Sequence, residues 1–318
     1  MAHRILAIDH RYGQPARLAL MERYLSPGYE LVLGDRLEGE ALLAEAARAT
    51  AIVTQSAPLD AALIAAAPRL KVVGSTRTGV DSIDIAAATK AGIPVLYTPG
   101  SLRAGPVAEI AFLLILMVAR KARGWGRTQV FDLATQLDEK TLGIVGLGNI
   151  GRAVARIGAA FGMKVAAYTR TKGKFRPDGF AVEEMDALDD LLRRADFLVL
   201  TLPLTDRTRG MIGARELALM KETAVLVNVA RGEHVATDDL VAALRAGRPG
   251  GAAMDVTDPE PLPDGHPLWD MPNVLISPHV GSFTSELQDR SFELFCDNIR
   301  LAVEGGRPSA VLNPEIYD

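Results

Sequence analysis

Apolar positions along the chain gather into short unbroken runs separated by segments of helical spacing. The first series of runs is RILAID (4–9), ELVLG (30–34), AIVT (51–54), LKVVGS (70–75) and IPVLY (93–97). The second is TLGIVG (141–146), KVAAY (164–168), FLVLT (197–201), AVLVNV (224–229), GAAMDV (251–256) and NVLIS (273–277). Most do not alternate with polar residues. Such runs are expected of strands buried on both faces, as in a parallel sheet covered by helices. Between them, LDDLLRRA and TDDLVAALRAG carry helical spacing, the second predicted to be capped by Thr237 and stopped at Gly247. The alternation predicts an α/β protein.

Two series of strands predict two doubly wound parallel-sheet domains with a cleft between them. The joints fall near TPGSLRAGP (98–106) and PHVGSFTSE (278–286). One domain is then discontinuous, residues 1–104 with 285–318, and the other spans 105–284. A long last helix, about Ser285 to Glu304, returns to the first. Two crossings make a hinge, and closure around a ligand is expected. Gly105-Pro106 is predicted to open the greasiest helix, proline being tolerated in a first turn. Its core, IAFLLILMVA (110–119), is shorter than a membrane span and is flanked by Glu109 and Arg120. Being apolar on most sides, it is expected to pack on a second copy as well, giving a homodimer.

Composition narrows the class further. The 318 residues are 48% hydrophobic and 23% charged, with formal charge −4. That balance gives no electrostatic reason to expect nucleic acid or an anionic membrane as partner. The single cysteine, Cys296 in FELFCDNI, excludes an intramolecular disulfide and reads as packing. The start, MAHRILAIDH, reads as a strand without the features of a signal peptide, so a cytoplasmic location is the expectation. No H-x-x-x-H or cysteine cluster points to a metal, and His234 is read as peripheral.

The strongest local motif is TLGIVGLGNIGRAVARIGAAFGMKVAAYTR, with Gly146, Gly148 and Gly151 in G-x-G-x-x-G spacing. It follows a predicted strand, opens a helix and reaches a second strand, the context a dinucleotide fingerprint requires. Gly146 permits the tight turn, Gly148 lets backbone approach a pyrophosphate, and Gly151 lets helix and strand pack. The amides of Asn149 and Ile150 are predicted to face the phosphates. After the second strand, an acid would bind the ribose of NAD. This chain has Thr169, Arg170, Thr171 and Lys172 instead. Two cations and two hydroxyls predict an anion site for a 2′-phosphate, hence a preference for NADP(H) with NAD(H) possible.

LVNVARGEHV, AAMDVTDPEPLPDGHPLWDMPNV and LISPHVGS place Arg231, Glu260 and His279 just beyond successive strands. Ligands of open parallel sheets collect outside those ends. A cation, a carboxylate and an imidazole there suit proton and hydride chemistry. With NVARG, DVTDPEP and PH in this order after the glycine motif, the chain resembles the D-isomer-specific 2-hydroxyacid dehydrogenases over nearly its whole length. It is most similar to their glyoxylate and hydroxypyruvate reductase branch.

The resemblance implies two Rossmann-like domains and hydride exchange between a nicotinamide and a 2-oxo acid. It implies that His279 supplies the proton, that Glu260 holds the imidazole, and that Arg231 pairs with the substrate carboxylate. It assigns Asp255 to the nicotinamide amide, and backbone at Leu202, Pro203, Val229, Ala230 and Gly281 to the cofactor. GSTRTGVDSID resembles the family's substrate loop, with Thr78 and Gly79 matching it. Arg77 stands where that pattern more often has a small residue, and is expected to serve a second acidic group on the substrate. The stretch PGSLRAGPVAE departs from the pattern by about one extra residue and by Pro106; Glu139 replaces a frequent glycine. Two further readings stay open: a phosphoglycerate-dehydrogenase-like enzyme, and a dinucleotide-sensing, corepressor-like binding protein of the same fold.

Overall fold

The computed structural model describes residues 2–25, 27–124 and 133–318. The chain divides into two compact units, Met1–Leu102 with Thr284–Asp318, and Arg103–Phe283.

In the discontinuous unit, strands β1 (His3–Ala7), β2 (Tyr29–Leu33), β3 (Ala51–Val53), β4 (Val72–Gly74) and β5 (Val95–Leu96) form a parallel sheet of order β2-β1-β3-β4-β5. Helices α1 (Pro15–Leu25), α2 (Gly39–Ala46), α3 (Ala61–Ala65) and α4 (Ile85–Lys90) connect them. Neighbouring residues of one strand feed opposite cores. Ile5 and Ala7 join Phe292, Phe295 and Ile299, while Leu6 and Ile8 join Leu63, Ile64 and Val73. That two-sided burial is why the runs do not alternate. The chain leaves β1 toward β2 and returns on its other side as β3. The gap between β1 and β3 is therefore a topological switch point.

In the continuous unit, α5 (Ala104–Ala119) precedes strands β6 (Thr141–Val145), β7 (Lys164–Tyr168), β8 (Val182–Glu184), β9 (Phe197–Leu200), β10 (Val225–Asn228), β11 (Gly251–Met254) and β12 (Val274–Ile276). They form a parallel sheet of order β12-β11-β10-β9-β6-β7-β8, with its switch point between β6 and β9. Helices α6 (Asn149–Ala160), α7 (Leu188–Arg194), α8 (Ala214–Leu219) and α9 (Thr237–Arg245) link the strands, and α10 (Ser285–Val303) belongs to the first unit. The two units are thus parallel-sheet α/β domains, with five and seven strands.

Three local expectations need correction. Strand β8 has no apolar run to announce it. It is an edge strand with one neighbour, and its Glu183 pairs with Arg194 at 2.7 Å. Ala236, not Thr237, occupies the N-cap of α9; the Thr237 hydroxyl donates to the Asp258 carbonyl at 2.6 Å. A tight turn extends the apolar helix backward, so that Gly100–Ala119, 20 residues long, is long and apolar enough to cross a membrane by length and composition alone. Val107, Ala111, Phe112, Leu114 and Ile115 of that stretch are buried, packed with α6 and the seven-stranded sheet, as in a core helix. Cys296 is buried on α10 beside the Met21 sulfur, and burial pushes its thiol up to about 12.

Candidate active site

The glycine motif forms the β6–α6 turn. Gly146 has φ +97°, a conformation that favours glycine, and its amide donates to the Tyr168 carbonyl at 2.8 Å. A methyl group at 151 would lie 2.1 Å from the Gly146 carbonyl oxygen, so only glycine lets helix and turn meet. Position 148 differs: a side chain there would meet no protein atom within 4 Å. The protein's own packing does not require glycine at 148. Gly148 is the N-cap of α6, and the amides of Asn149 and Ile150 fall in its first turn, without intrahelical acceptors. Leu202, and Pro203 after it, follow β9 on the other side of the switch point; Leu202 lies against Gly146. Arg152 steadies the turn, its Nε donating to the Leu147 carbonyl at 3.1 Å.

Thr169, Arg170, Thr171 and Lys172 follow β7 on the exposed side. Lys172 is engaged by Asp186, and its hydrogen bond, then its charge, hold that carboxyl below the usual range. The Gly173 amide donates to Glu184 at 2.7 Å. Arg170 makes no ion pair among the described residues, and neither does Lys174 further along the loop.

Beyond β10, β11 and β12, three loops are held by buried polar side chains. Asn228 donates to the Arg231 carbonyl at 2.8 Å and accepts from the Ala230 amide at 3.1 Å, which shapes Val229–Arg231. Arg231 is exposed, its Nη1 donating to the Ala230 carbonyl at 2.7 Å. Asp255, 3% exposed, accepts from the Ser277 hydroxyl at 2.7 Å, the Val280 amide at 3.0 Å and the Gly281 amide at 2.9 Å. Between those anchors His279 adopts φ +53°. A left-handed conformation costs a residue with a side chain about 1–2 kcal/mol, and the anchors on either side enforce it. Gly281 has no room for a methyl group, which would come within 2.8 Å of both the Asp255 Oδ2 and Ile110.

The imidazole so placed meets Glu260, with His279 Nδ1 2.7 Å from the Glu260 carboxylate. A carboxylate only accepts, so Nδ1 carries hydrogen and Nε2 is the nitrogen left without a partner among the described residues. The two side chains are 39% and 43% exposed, open to a ligand. Arg231 reaches the same end of the sheet through Gly232: a methyl group there would lie 2.0 Å from the Thr257 carbonyl oxygen, so the backbone after Arg231 packs directly on the segment leading to Glu260. The structure therefore brings the loops of Arg231, Glu260 and His279 to one sheet end.

Sequence reasoning missed four residues that build this end: Asn228, Gly232, Ser277 and His234. Asn228 and Gly232 lie inside the NVARG motif itself, where a buried asparagine ending a strand and a glycine after an exposed arginine were the available signals. His234 is not peripheral. It is fully buried, and its Nδ1 lies 3.0 Å from the Arg231 carbonyl.

In the other unit, Thr76, Arg77, Thr78 and Gly79 follow β4. Arg77 donates from its amide to the Ser75 hydroxyl at 3.2 Å and from Nη1 to the Gln55 carbonyl at 3.4 Å. Its own carbonyl accepts from the Thr98 amide at 2.9 Å.

The family model described as "D-isomer specific 2-hydroxyacid dehydrogenase, NAD binding domain" matches residues 115–281. A glyoxylate reductase of Aeropyrum pernix is 38% identical over 320 residues, covering 95% of this chain and 94% of its own. Among solved structures, a 2-hydroxyacid dehydrogenase from Ketogulonicigenium vulgare aligns with TM-score 0.86 at 29% identity, covering 98% of this chain and 99% of that one. A glyoxylate reductase from Paecilomyes thermophila aligns with TM-score 0.74 at 31% identity, covering 99% of each.

Proposed function

This chain belongs to the D-isomer specific 2-hydroxyacid dehydrogenase family and is an oxidoreductase; from that premise we propose that it reduces a small 2-oxo acid of glyoxylate or hydroxypyruvate type, with NADP(H) preferred over NAD(H). The observation that carries this reading is the His279–Glu260 contact of 2.7 Å, at the same sheet end as Arg231 and the glycine turn.

The residues present fit a dinucleotide. The bare backbone at Gly148 and the first-turn amides of Asn149 and Ile150 are a cradle for its pyrophosphate. Leu202, Pro203, Val229, Ala230 and Gly281 line its path. Three of the roughly four acceptor positions of Asp255 serve its own chain, and the remaining one takes the nicotinamide amide. Thr169, Arg170, Thr171 and Lys172 take the 2′-phosphate, with Arg170 dominant because Lys172 already faces Asp186. When bound, the nicotinamide supplies the hydride in reduction and accepts it in the reverse direction.

The chain's own residues manage charge and protons. Arg231 pairs its planar fork with the substrate carboxylate and polarises the adjacent carbonyl. His279 Nε2 gives a proton to the carbonyl oxygen as that oxygen becomes an alkoxide. Glu260 orients the ring through Nδ1, and the enforced backbone at 279 fixes the direction of Nε2. Thr78 and Gly79 present backbone amides to the substrate carboxylate. The enzyme acts as a homodimer through α5, whose Leu113 is 50% exposed; a single-chain mass in light scattering would refute that assembly.

The test is reduction of a panel of 2-oxo acids with NADPH and with NADH. His279→Ala is expected to lower kcat by about 10²–10⁴-fold, the range of lost general acid catalysis. Retained turnover refutes the assignment. Arg170→Ala is expected to raise KM for NADPH about tenfold, the loss of one charge-assisted contact. Equal kcat/KM for both cofactors, unaltered by Arg170→Ala, refutes the NADP preference. Tight cofactor binding without turnover on any acid would favour a sensor.

A further inference from the structure

The continuous unit holds a buried titratable side chain that the chemistry above leaves unused. His234 ends the tight turn Gly232–His234 and is fully buried. Its Nδ1 lies 3.0 Å from the Arg231 carbonyl oxygen. A carbonyl only accepts, so Nδ1 carries hydrogen and Nε2 is left as an acceptor. That Nε2 is buried without a hydrogen-bond partner among the described residues. A buried acceptor without a donor costs stability, and an apolar side chain of similar volume at 234 would avoid the cost. Packing therefore does not account for the imidazole. What the ring adds over an apolar group is the single Nδ1–H directed at Arg231.

That bond completes a grip on the backbone of Arg231. Three donors converge on its carbonyl: Asn228 Nδ2 at 2.8 Å, His234 Nδ1 at 3.0 Å and the His234 amide at 3.3 Å. Arg231 itself has φ −145° and ψ 143°, in the broad extended region, where the backbone alone does not select one direction for the side chain. The peptide after Arg231 sets how its Cα–Cβ bond points. Fastening that carbonyl therefore aims the stem of the guanidinium. His234 is in turn anchored to the segment beyond β9: the Ile212 amide donates to the His234 carbonyl at 3.0 Å, and the Ala236 amide to the Ile212 carbonyl at 3.0 Å. The ring thus refers the position of Arg231 to a second, independent part of the scaffold, beside the reference that Asn228 supplies from β10.

We propose that His234 is a positioning residue for Arg231, aiming its guanidinium at the carboxylate of the 2-oxo acid. This rests on the reductase reading above. The experiment measures kcat and KM for whichever of glyoxylate and hydroxypyruvate the wild type reduces faster, and KM for the preferred nicotinamide. His234→Leu removes the donor and keeps the site filled. It is expected to raise KM for the acid about tenfold, the loss of one hydrogen bond, with a smaller fall in kcat and an unchanged KM for the nicotinamide. His234→Asn places an amide N–H near the Nδ1 position and is expected to return KM for the acid to within about threefold of wild type. His234→Gln carries the same amide to the Nε2 position, away from the Arg231 carbonyl, and is expected to resemble His234→Leu. It repeats the comparison should His234→Leu not fold. A purely structural role would lower the unfolding midpoint and leave KM for the acid unmoved. Unchanged KM for the acid in His234→Leu or His234→Gln, no recovery in His234→Asn, or a KM for the nicotinamide that rises as far as that for the acid, overturns the proposal while leaving the reductase reading standing. No reduction of any acid by the wild type overturns the reductase reading, and the proposal with it.

Discussion

Two buried aspartates, one in each unit, perform the same structural task and lead to different chemistry. Asp9 follows β1 and Asp255 follows β11. Each accepts from a serine hydroxyl and from backbone amides of a loop leaving another strand of its sheet, Ser56–Ala57 in one case and Ser277–Gly281 in the other. A carboxylate that only accepts suits loops that offer only donors. What differs is the side chain each loop then presents. Asp255 presents an imidazole already paired with a carboxylate, an arrangement for moving a proton. Asp9 is surrounded by the guanidinium groups of Arg11, Arg17 and Arg77, which make no ion pair among the described residues and donate to neutral oxygens. One device, a buried acid fastening two strand ends, thus holds a loop that carries an imidazole–carboxylate pair in one place and a loop set among guanidinium groups in the other.

The comparison is broken most sharply at Asp255. Asp255→Ala releases three donors and with them the left-handed backbone of His279; a misplacement of about 1 Å costs about 10²-fold in rate. Turnover close to wild type in a folded Asp255→Ala would show that the loop holds itself. Gly232→Ala is the next largest effect. Its methyl group collides with the Thr257 carbonyl, and overpacking of this kind destabilises by about 1–3 kcal/mol in denaturant unfolding. An unchanged midpoint would show that the segments of Arg231 and Glu260 yield to one another freely.

Asp9 gives the smallest signal and an independent one. Burial alone would raise its carboxyl, but the amides of Arg11, Ser56 and Ala57 and the Ser56 hydroxyl outweigh that and hold it at about 2, against an ordinary 3.8. A value lowered in the folded state contributes stability above the unfolded pKa, and that contribution is lost as pH falls through the folded one. The wild type should therefore lose stability between about pH 4 and about pH 2 partly through Asp9. In Asp9→Asn the fall in Tm over that interval should be shallower; an identical slope would show that Asp9 does not fasten β1 to β3.

Much of this was legible in the sequence because it is local. Unbroken apolar runs marked buried strands, and the glycine spacing marked the β6–α6 turn. NVARG, DVTDPEP and PH each sit at the end of one strand, so each could be read without knowing the others. Illegible parts depend on pairs far apart in the chain. Asp9 looks like any acid after a strand until Ser56 and Ala57 are seen to donate to it. Arg11 and Arg17 look like solvated charges until Gln55 and Ser56 bring them toward Arg77. Gly232 reads as a loop glycine until the Thr257 backbone fills the space a side chain would need. Strand β8 escaped because an edge strand bearing two glutamates has no hydrophobic signature. Lys172 reads as an anion ligand in the sequence, and only the fold supplies Asp186 to neutralise it.

The central claim is that His279 and Glu260 act as one device on the substrate carbonyl. A double-mutant cycle on kcat with Glu260→Gln and His279→Ala tests it directly, since residues acting as a unit are grossly non-additive. The account predicts that the double variant is no slower than His279→Ala alone. Losses that multiply would contradict it.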